Sequence, residues 1–74
     1  MTSEEKLVLT KFGRKIRSLR IKKGLTQQQL AELSELEYKY IQRIEGKSPP
    51  SLGLLNLIKI ASAFKITPSR LLDF

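Results

Sequence analysis

The stretch Thr26–Gly46, TQQQLAELSELEYKYIQRIEG, constrains the fold more than any other part of the chain. Thr26 followed by Gln29 is a capping box, in which hydroxyl and amide satisfy each other's helix-start N–H groups, and Leu25 with Leu30 is the staple that accompanies it. A helix over about 27–33 follows. Leu30, Ala31, Leu36, Ile41 and Ile44 recur at spacings that one inward-facing ridge satisfies, so a second helix is predicted over 38–45, beyond a turn carrying Ser34 and Glu35. Leu36 plugs that turn from beneath, the small Ala31 leaves room for a crossing helix, and Gly46 ends the unit. Tyr38, Lys39, Gln42 and Arg43 are left on the face opposite Ile41 and Ile44.

The other segments read as support for this pair. Residues 3–23 form one helix, with Ser3 as N-cap, Glu4 and Glu5 at the positive end of the dipole, and a break possible near Thr10. Phe12, Ile16 and Leu19 give it an apolar stripe, Gly13 lets another helix approach closely, and Gly24 supplies the left-handed residue that ends it. KSPPS is a loop, because adjacent prolines do not fit inside a helix. A fourth helix covers roughly 52–64, with Ser51 and Gly53 both acceptable as its cap, Leu54, Leu57, Ile58, Ala61 and Phe64 on its core face, and Leu55 and Ile60 partly exposed or inter-helical. Thr67 caps a last short helix, 68–73, that starts on Pro68. No strand pattern or repeat is present: the expectation is a single all-α domain, residues 1–74, of five short helices. At this length one core of roughly ten to fifteen side chains is all that can be buried.

Charge narrows the function. Fourteen Lys and Arg against seven Asp and Glu leave +7, and half of the basic residues fall between Lys11 and Lys23, where no acid occurs. Such a field favours polyanions, either nucleic acid or an anionic membrane face. The sequence has no His and no Cys, the commonest general base and the commonest metal ligands, and it has neither paired carboxylates on a cleft nor a phosphate-cradling glycine loop. No enzyme activity, cofactor or metal is therefore expected. No apolar run approaches the ~20 residues of a spanning helix, and the start MTSEEKLVLT carries acids where a signal peptide is basic, so a cytoplasmic protein off the membrane is expected.

A helical pair whose second helix is studded with Tyr, Lys, Gln and Arg is built to enter a DNA groove. Arg grips guanine bidentately through O6 and N7, Lys reaches the same atoms, Gln42 suits adenine or a phosphate, and Tyr38 offers a hydroxyl to phosphate or a ring to a thymine methyl. The Tyr40 hydroxyl is a further candidate for phosphate.

Three segments, FGRKIRSLRIKKGLTQQQLA, YIQRIEGK and LIKIASAFKITPSRLL, together resemble the helix-turn-helix domains of the phage repressor and Cro type, the xenobiotic-response-element family, to which restriction–modification controller proteins belong. The likeness covers about four-fifths of the chain, from Phe12 to Leu72. It implies a lambda-repressor-like fold and a sequence-specific regulator of transcription, repressor or controller, that binds double-stranded DNA. Tyr38, Lys39, Gln42 and Arg43 then match the base-contacting positions. Gln27 matches a glutamine that bonds a DNA phosphate and braces the start of the recognition helix, with Gln28 beside it at the backbone. Lys47 and Ser48 fall in the loop that runs along the phosphates. Arg20 and Glu45 match an arginine–glutamate pair tying the first helix to the end of the third. In the family the C-terminal end commonly forms a two-fold dimer, and Ile66, Leu71, Leu72 and Phe74 are more apolar surface than a short terminal helix hides alone.

Two positions depart from the pattern. Glu35 stands where the turn usually has glycine, so the turn carries some strain, and Glu37 replaces the small hydroxyl residue that usually caps the third helix. Glu37 caps less efficiently, repels phosphate, or accepts from cytosine N4; the residues alone do not choose among these. Two other classes fit less of the chain: an antitoxin or similar protein-interaction module on the same fold, and a polyanion or membrane-surface binder driven by charge alone. With no second domain, no small-molecule ligand is expected.

Overall fold

The computed structural model describes residues 1–74 as five helices and no strand: α1 (Ser3–Lys22), α2 (Gln27–Ser34), α3 (Tyr38–Ile44), α4 (Leu54–Ala63) and α5 (Pro68–Leu71). α2 packs against both α3 and α4, α1 crosses α3, and α5 closes against α4. The core they enclose is Phe12, Ile16, Leu30, Ala31, Ile41, Ile44, Ile60, Ala61, Phe64 and Leu71. Every helix therefore contributes at least one buried side chain, so none is an appendage.

Capping chemistry sets the helix starts. Thr26 and Gln29 form the expected box, the Gln29 N–H donating to Thr26 Oγ1 at 3.0 Å and the Thr26 N–H to Gln29 Oε1 at 2.8 Å. A second box begins α1, but its cap is Thr2 rather than Ser3, because Thr2 is the residue with an acid three positions on in reach of its own N–H: Glu5 Oε1 accepts from it at 2.8 Å. That hydrogen bond holds the Glu5 carboxyl below the usual carboxylate range, so this contribution is present above the unfolded pKa and is lost as pH falls through the folded one. No break occurs near Thr10, whose hydroxyl donates to the Lys6 carbonyl within a continuous helix.

The ends of α1, α2 and α4 share one device. Gly24, Glu35 and Lys65 all adopt left-handed backbone, and the residue after each, Leu25, Leu36 and Ile66, returns its N–H to the carbonyl five positions back. This is the Schellman arrangement, and those three apolar residues pack against the core. Only one of the three turns uses glycine. Glu35 and Lys65 carry a Cβ there, at a cost of about 1 kcal/mol or more each.

α1 meets α3 at Gly13, where a Cβ would drive into the Ile44 carbonyl; the glycine is required by proximity. α4 corrects the sequence reading. It starts at Leu54 on an uncapped Gly53, and it buries Ile60, Ala61 and Phe64 while Leu54, Leu55 and Ile58 stay exposed. The segment is apolar nearly all round, so two stripes were open to it, and the crossing with α2 selects the one through Ile60. Leu71 is fully buried beneath α5. α5 itself stops at Leu71, short of the expected 73.

Candidate nucleic-acid interface

α3 is seated from below and bare on top. Ile41 and Ile44 are fully buried, which fixes the rotation of the helix. Seven residues are too few for helical stability of their own, so this packing holds α3 in shape. The same rotation turns Tyr38, Lys39, Gln42 and Arg43 outward, all of them exposed. Neither Lys39 nor Arg43 has an ion-pair partner, since the Arg20–Glu45 contact is the one salt bridge in the molecule. Tyr38 and Gln42 are one turn apart and joined, Gln42 Nε2 donating to Tyr38 Oη at 3.0 Å. That bond leaves the Tyr38 hydroxyl proton and the Gln42 carbonyl free for a partner.

The C-terminal end of α3 is pinned by a buried ionic cluster. Arg20 Nε donates to Glu45 Oε2 at 2.8 Å, Nη2 to Oε1 at 2.9 Å, and Nη1 to the Leu25 carbonyl at 2.7 Å. Gln27 Nε2 adds a bond to Glu45 Oε1 at 3.2 Å. The Glu45 side chain is only 1% exposed, and both of its carboxylate oxygens accept from side-chain donors. The hydrogen bond to Glu45 raises the Arg20 guanidinium above its ordinary pKa. Three elements are thereby tied together: the end of α1, the start of α2 and the end of α3.

Gln27 therefore braces the end of α3, where sequence reading put its bracing role at the start. The reason is reach: Glu45 supplies the buried acceptor, while Glu37 at the start of α3 faces solvent. Glu37 occupies the N-cap position without any side-chain cap bond. Tyr40 also differs from expectation. It is half-buried against the core, and its Oη accepts from Asn56 Nδ2 of α4 at 3.2 Å, so it is first a link between α3 and α4. Asn56 was invisible to motif reasoning, lying in an otherwise apolar run. Gln28, Lys47 and Ser48 are exposed, Gln28 at the start of α2 and the other two just beyond α3.

The expected partner surface divides. Leu71 belongs to the core and Ile66 packs against it, which removes both from a free face. Burying a leucine fully is worth about 1.5–3 kcal/mol, and Leu71 already has that within one chain. Leu72 and Phe74 remain about half exposed, Phe74 with its ring 5.7 Å from that of Phe12. Leu54 (72% exposed) and Leu55 (65%) are the larger apolar liability, together with Ile58.

A profile of the helix-turn-helix domain matches residues 13–73. The control protein C.BamHI of Bacillus amyloliquefaciens is 38% identical over 64 residues, 85% of this chain and 78% of that protein. The crystal structure of the restriction-modification controller protein C.AhdI from Aeromonas hydrophila superposes with a TM-score of 0.80 at 41% identity, covering 85% of this chain and 94% of that one. The matched region holds α2, α3 and the α4–α5 closure, and it begins at the glycine where α1 meets α3.

Proposed function

The chain belongs to the helix-turn-helix family of DNA-binding transcription regulators, and from that premise we propose that it acts as a controller-type regulator that lays α3 along the major groove of its operator. Tyr38, Lys39, Gln42 and Arg43 read base edges; Arg43 and Lys39 suit guanine and Gln42 adenine, each good contact worth about 1–3 kcal/mol of discrimination. Gln28, Lys47 and Ser48 hold phosphates. The uncommitted carbonyl of Gln27 is an acceptor and repels a phosphate, so only its second amide hydrogen serves there, and its main part is in the Glu45 cluster. The Tyr40 hydroxyl proton is free for a phosphate while its oxygen accepts from Asn56.

The observation that carries this reading is the contrast on α3 itself: two isoleucines fully buried beneath, two unpaired cations exposed above. A helix oriented this firmly, with its charge left unneutralised, is preorganised for an anionic groove. No helix is long and apolar enough to cross a membrane. The regulator works through binding alone, without catalysis.

We further propose a homodimer. Leu54, Leu55, Ile58, Leu72 and Phe74 are among the apolar residues one chain leaves open, and a second copy would cover them while setting two recognition helices about one DNA turn apart. Selection from random DNA by the purified protein tests both parts. The expected result is a two-fold related pair of half-sites, and Lys39→Glu/Arg43→Glu, still folded, no longer prefers the enriched duplex over a scrambled one. Retained preference in that variant would overturn the placement of α3. Enrichment of a single, unpaired half-site would remove the dimer.

A further inference from the structure

The basic run on α1 is not explained by the recognition helix, since only Arg20 of it joins the Glu45 cluster. α1 register sorts the rest. Lys6, Thr10 and Arg14 are spaced i, i+4, i+8 and so share one face, and that face lies against the loop after α3. Thr10, Arg14, Glu45, Gly46 and Lys47 line an open cleft of about 360 Å³ with no hydrophobic wall. It adjoins a second depression, about 250 Å³, in which Lys6, Thr10, Lys47 and Ser48 meet. Thr10 and Lys47 are common to both, so the two form one groove between α1 and the α3–α4 loop.

We infer that this groove is a second seat for the DNA backbone, taking phosphodiesters that flank the half-site read by α3. The inference rests on the DNA-binding reading above and extends it to α1. Three cations, Lys6, Arg14 and Lys47, line the groove and are all exposed without an ionic partner. The one acid in its wall, Glu45, is committed to Arg20 and Gln27, so its charge is answered from within. Glu5 lines a neighbouring depression and its carboxylate accepts from the Thr2 N–H. The Thr10 hydroxyl is spent on the Lys6 carbonyl, which makes Thr10 a small floor that lets an anion sit between the cations. Lys15, one position from Arg14, points elsewhere and donates to the Asp73 carbonyl, so the register selects and not the bulk charge.

The dimensions suit a strand. Lys6 and Arg14 are eight residues apart, about 12 Å of helix, long enough to reach more than one phosphate of a strand. Lys47 joins the groove to α3 only three residues after Ile44, so a backbone leaving the recognition helix passes directly into it.

The test is the salt dependence of Lys6→Gln/Arg14→Gln on the full chain, with a duplex enriched from random DNA by the wild-type protein and with a scrambled duplex of equal length. Losing two phosphate contacts should flatten the slope of log K against log salt by roughly 1.8 on both duplexes, so that between 50 and 200 mM salt the variant loses about tenfold less affinity than the wild type. The preference for the enriched duplex should stay as it was. Trimming the enriched duplex at the outer edge of the half-site should bring the wild-type slope down to that of the variant. An unchanged slope in the folded variant overturns the inference, and so does a wild-type slope insensitive to trimming, which would reduce the cations to a diffuse field. If the wild type enriches no sequence, the proposed function fails, and the scrambled duplex still decides the groove.

Discussion

The two ends of α3 treat charge in opposite ways. At its C-terminal end, Arg20 and Gln27 donate to a carboxylate that is 1% exposed, and Arg20 donates also to the Leu25 carbonyl, so the charge there is answered inside the protein. Along its outer face, Lys39 and Arg43 are exposed with no partner at all. The first arrangement is costly to desolvate and holds geometry; the second is cheap to solvate and waits for a ligand. A recognition helix of seven residues needs both, because a reading surface is only as precise as the seat beneath it.

Breaking the seat should have the larger effect. Glu45→Ala leaves Arg20 and Gln27 without their acceptor and is expected to cost about 3 kcal/mol, a fall of roughly 12–24 °C in Tm by calorimetry for a domain this small. Operator affinity should fall with it, since the end of α3 is no longer tied to α1. Glu45→Gln, which keeps an acceptor oxygen, should lie between. A folded Glu45→Ala protein of unchanged Tm would show the buried pair to be ornamental.

Breaking the reading face should do the reverse. Arg43→Ala and Lys39→Ala are each expected to lose about 1–3 kcal/mol of discrimination between enriched and scrambled duplex. Thermal stability should stay within about 0.5 kcal/mol, because neither side chain touches the core. A comparable loss of stability in either variant would abolish the division between the two ends.

That division was legible in part from sequence. The Thr26–Gln29 box, the buried pair Ile41 and Ile44, and the Arg20–Glu45 partnership were all readable, because caps, 3.6-residue spacing and a matched motif are local signals. What escaped was decided by tertiary choice. An α4 that is apolar on nearly every side offers two core stripes, and packing against α2, not periodicity, exposed Leu54 and buried Ile60. Leu71 looked like partner surface because its cover, the closure of α5 against α4, is made by distant residues. The Tyr40–Asn56 bond joins two helices across a loop, which no spacing rule describes.

The turn between α2 and α3 separates strain from charge. Glu35 holds left-handed backbone, and Glu35→Gly should stabilise the fold by about 1 kcal/mol in denaturant melts, the relief of the Cβ clash being partly offset by the greater freedom of glycine in the unfolded chain. Lys65→Gly offers the same relief far from α3 and should gain a similar amount. Glu35→Gln, which keeps the Cβ and removes the charge, should gain nothing. A gain for Glu35→Gln equal to that for Glu35→Gly would make the turn an electrostatic liability and not a conformational one.

The smallest expected effect falls where seat and reading face meet. Glu37 is the N-cap of α3 but makes no cap bond; its side chain is one methylene longer than that of Asp, and the residues that cap well are the shorter ones. Glu37→Ser restores a hydroxyl at that position and is expected to add about 0.5 kcal/mol of stability. It also removes an exposed acid from the end of the helix that enters the groove, so affinity for enriched and scrambled duplex should rise together if Glu37 only repels phosphate. If instead Glu37 accepts from a cytosine N4, affinity for the enriched duplex alone should drop, by about 1–3 kcal/mol. Measuring both duplexes against both proteins therefore assigns Glu37 either to the seat, as a poor cap beside a polyanion, or to the reading face as its fifth member.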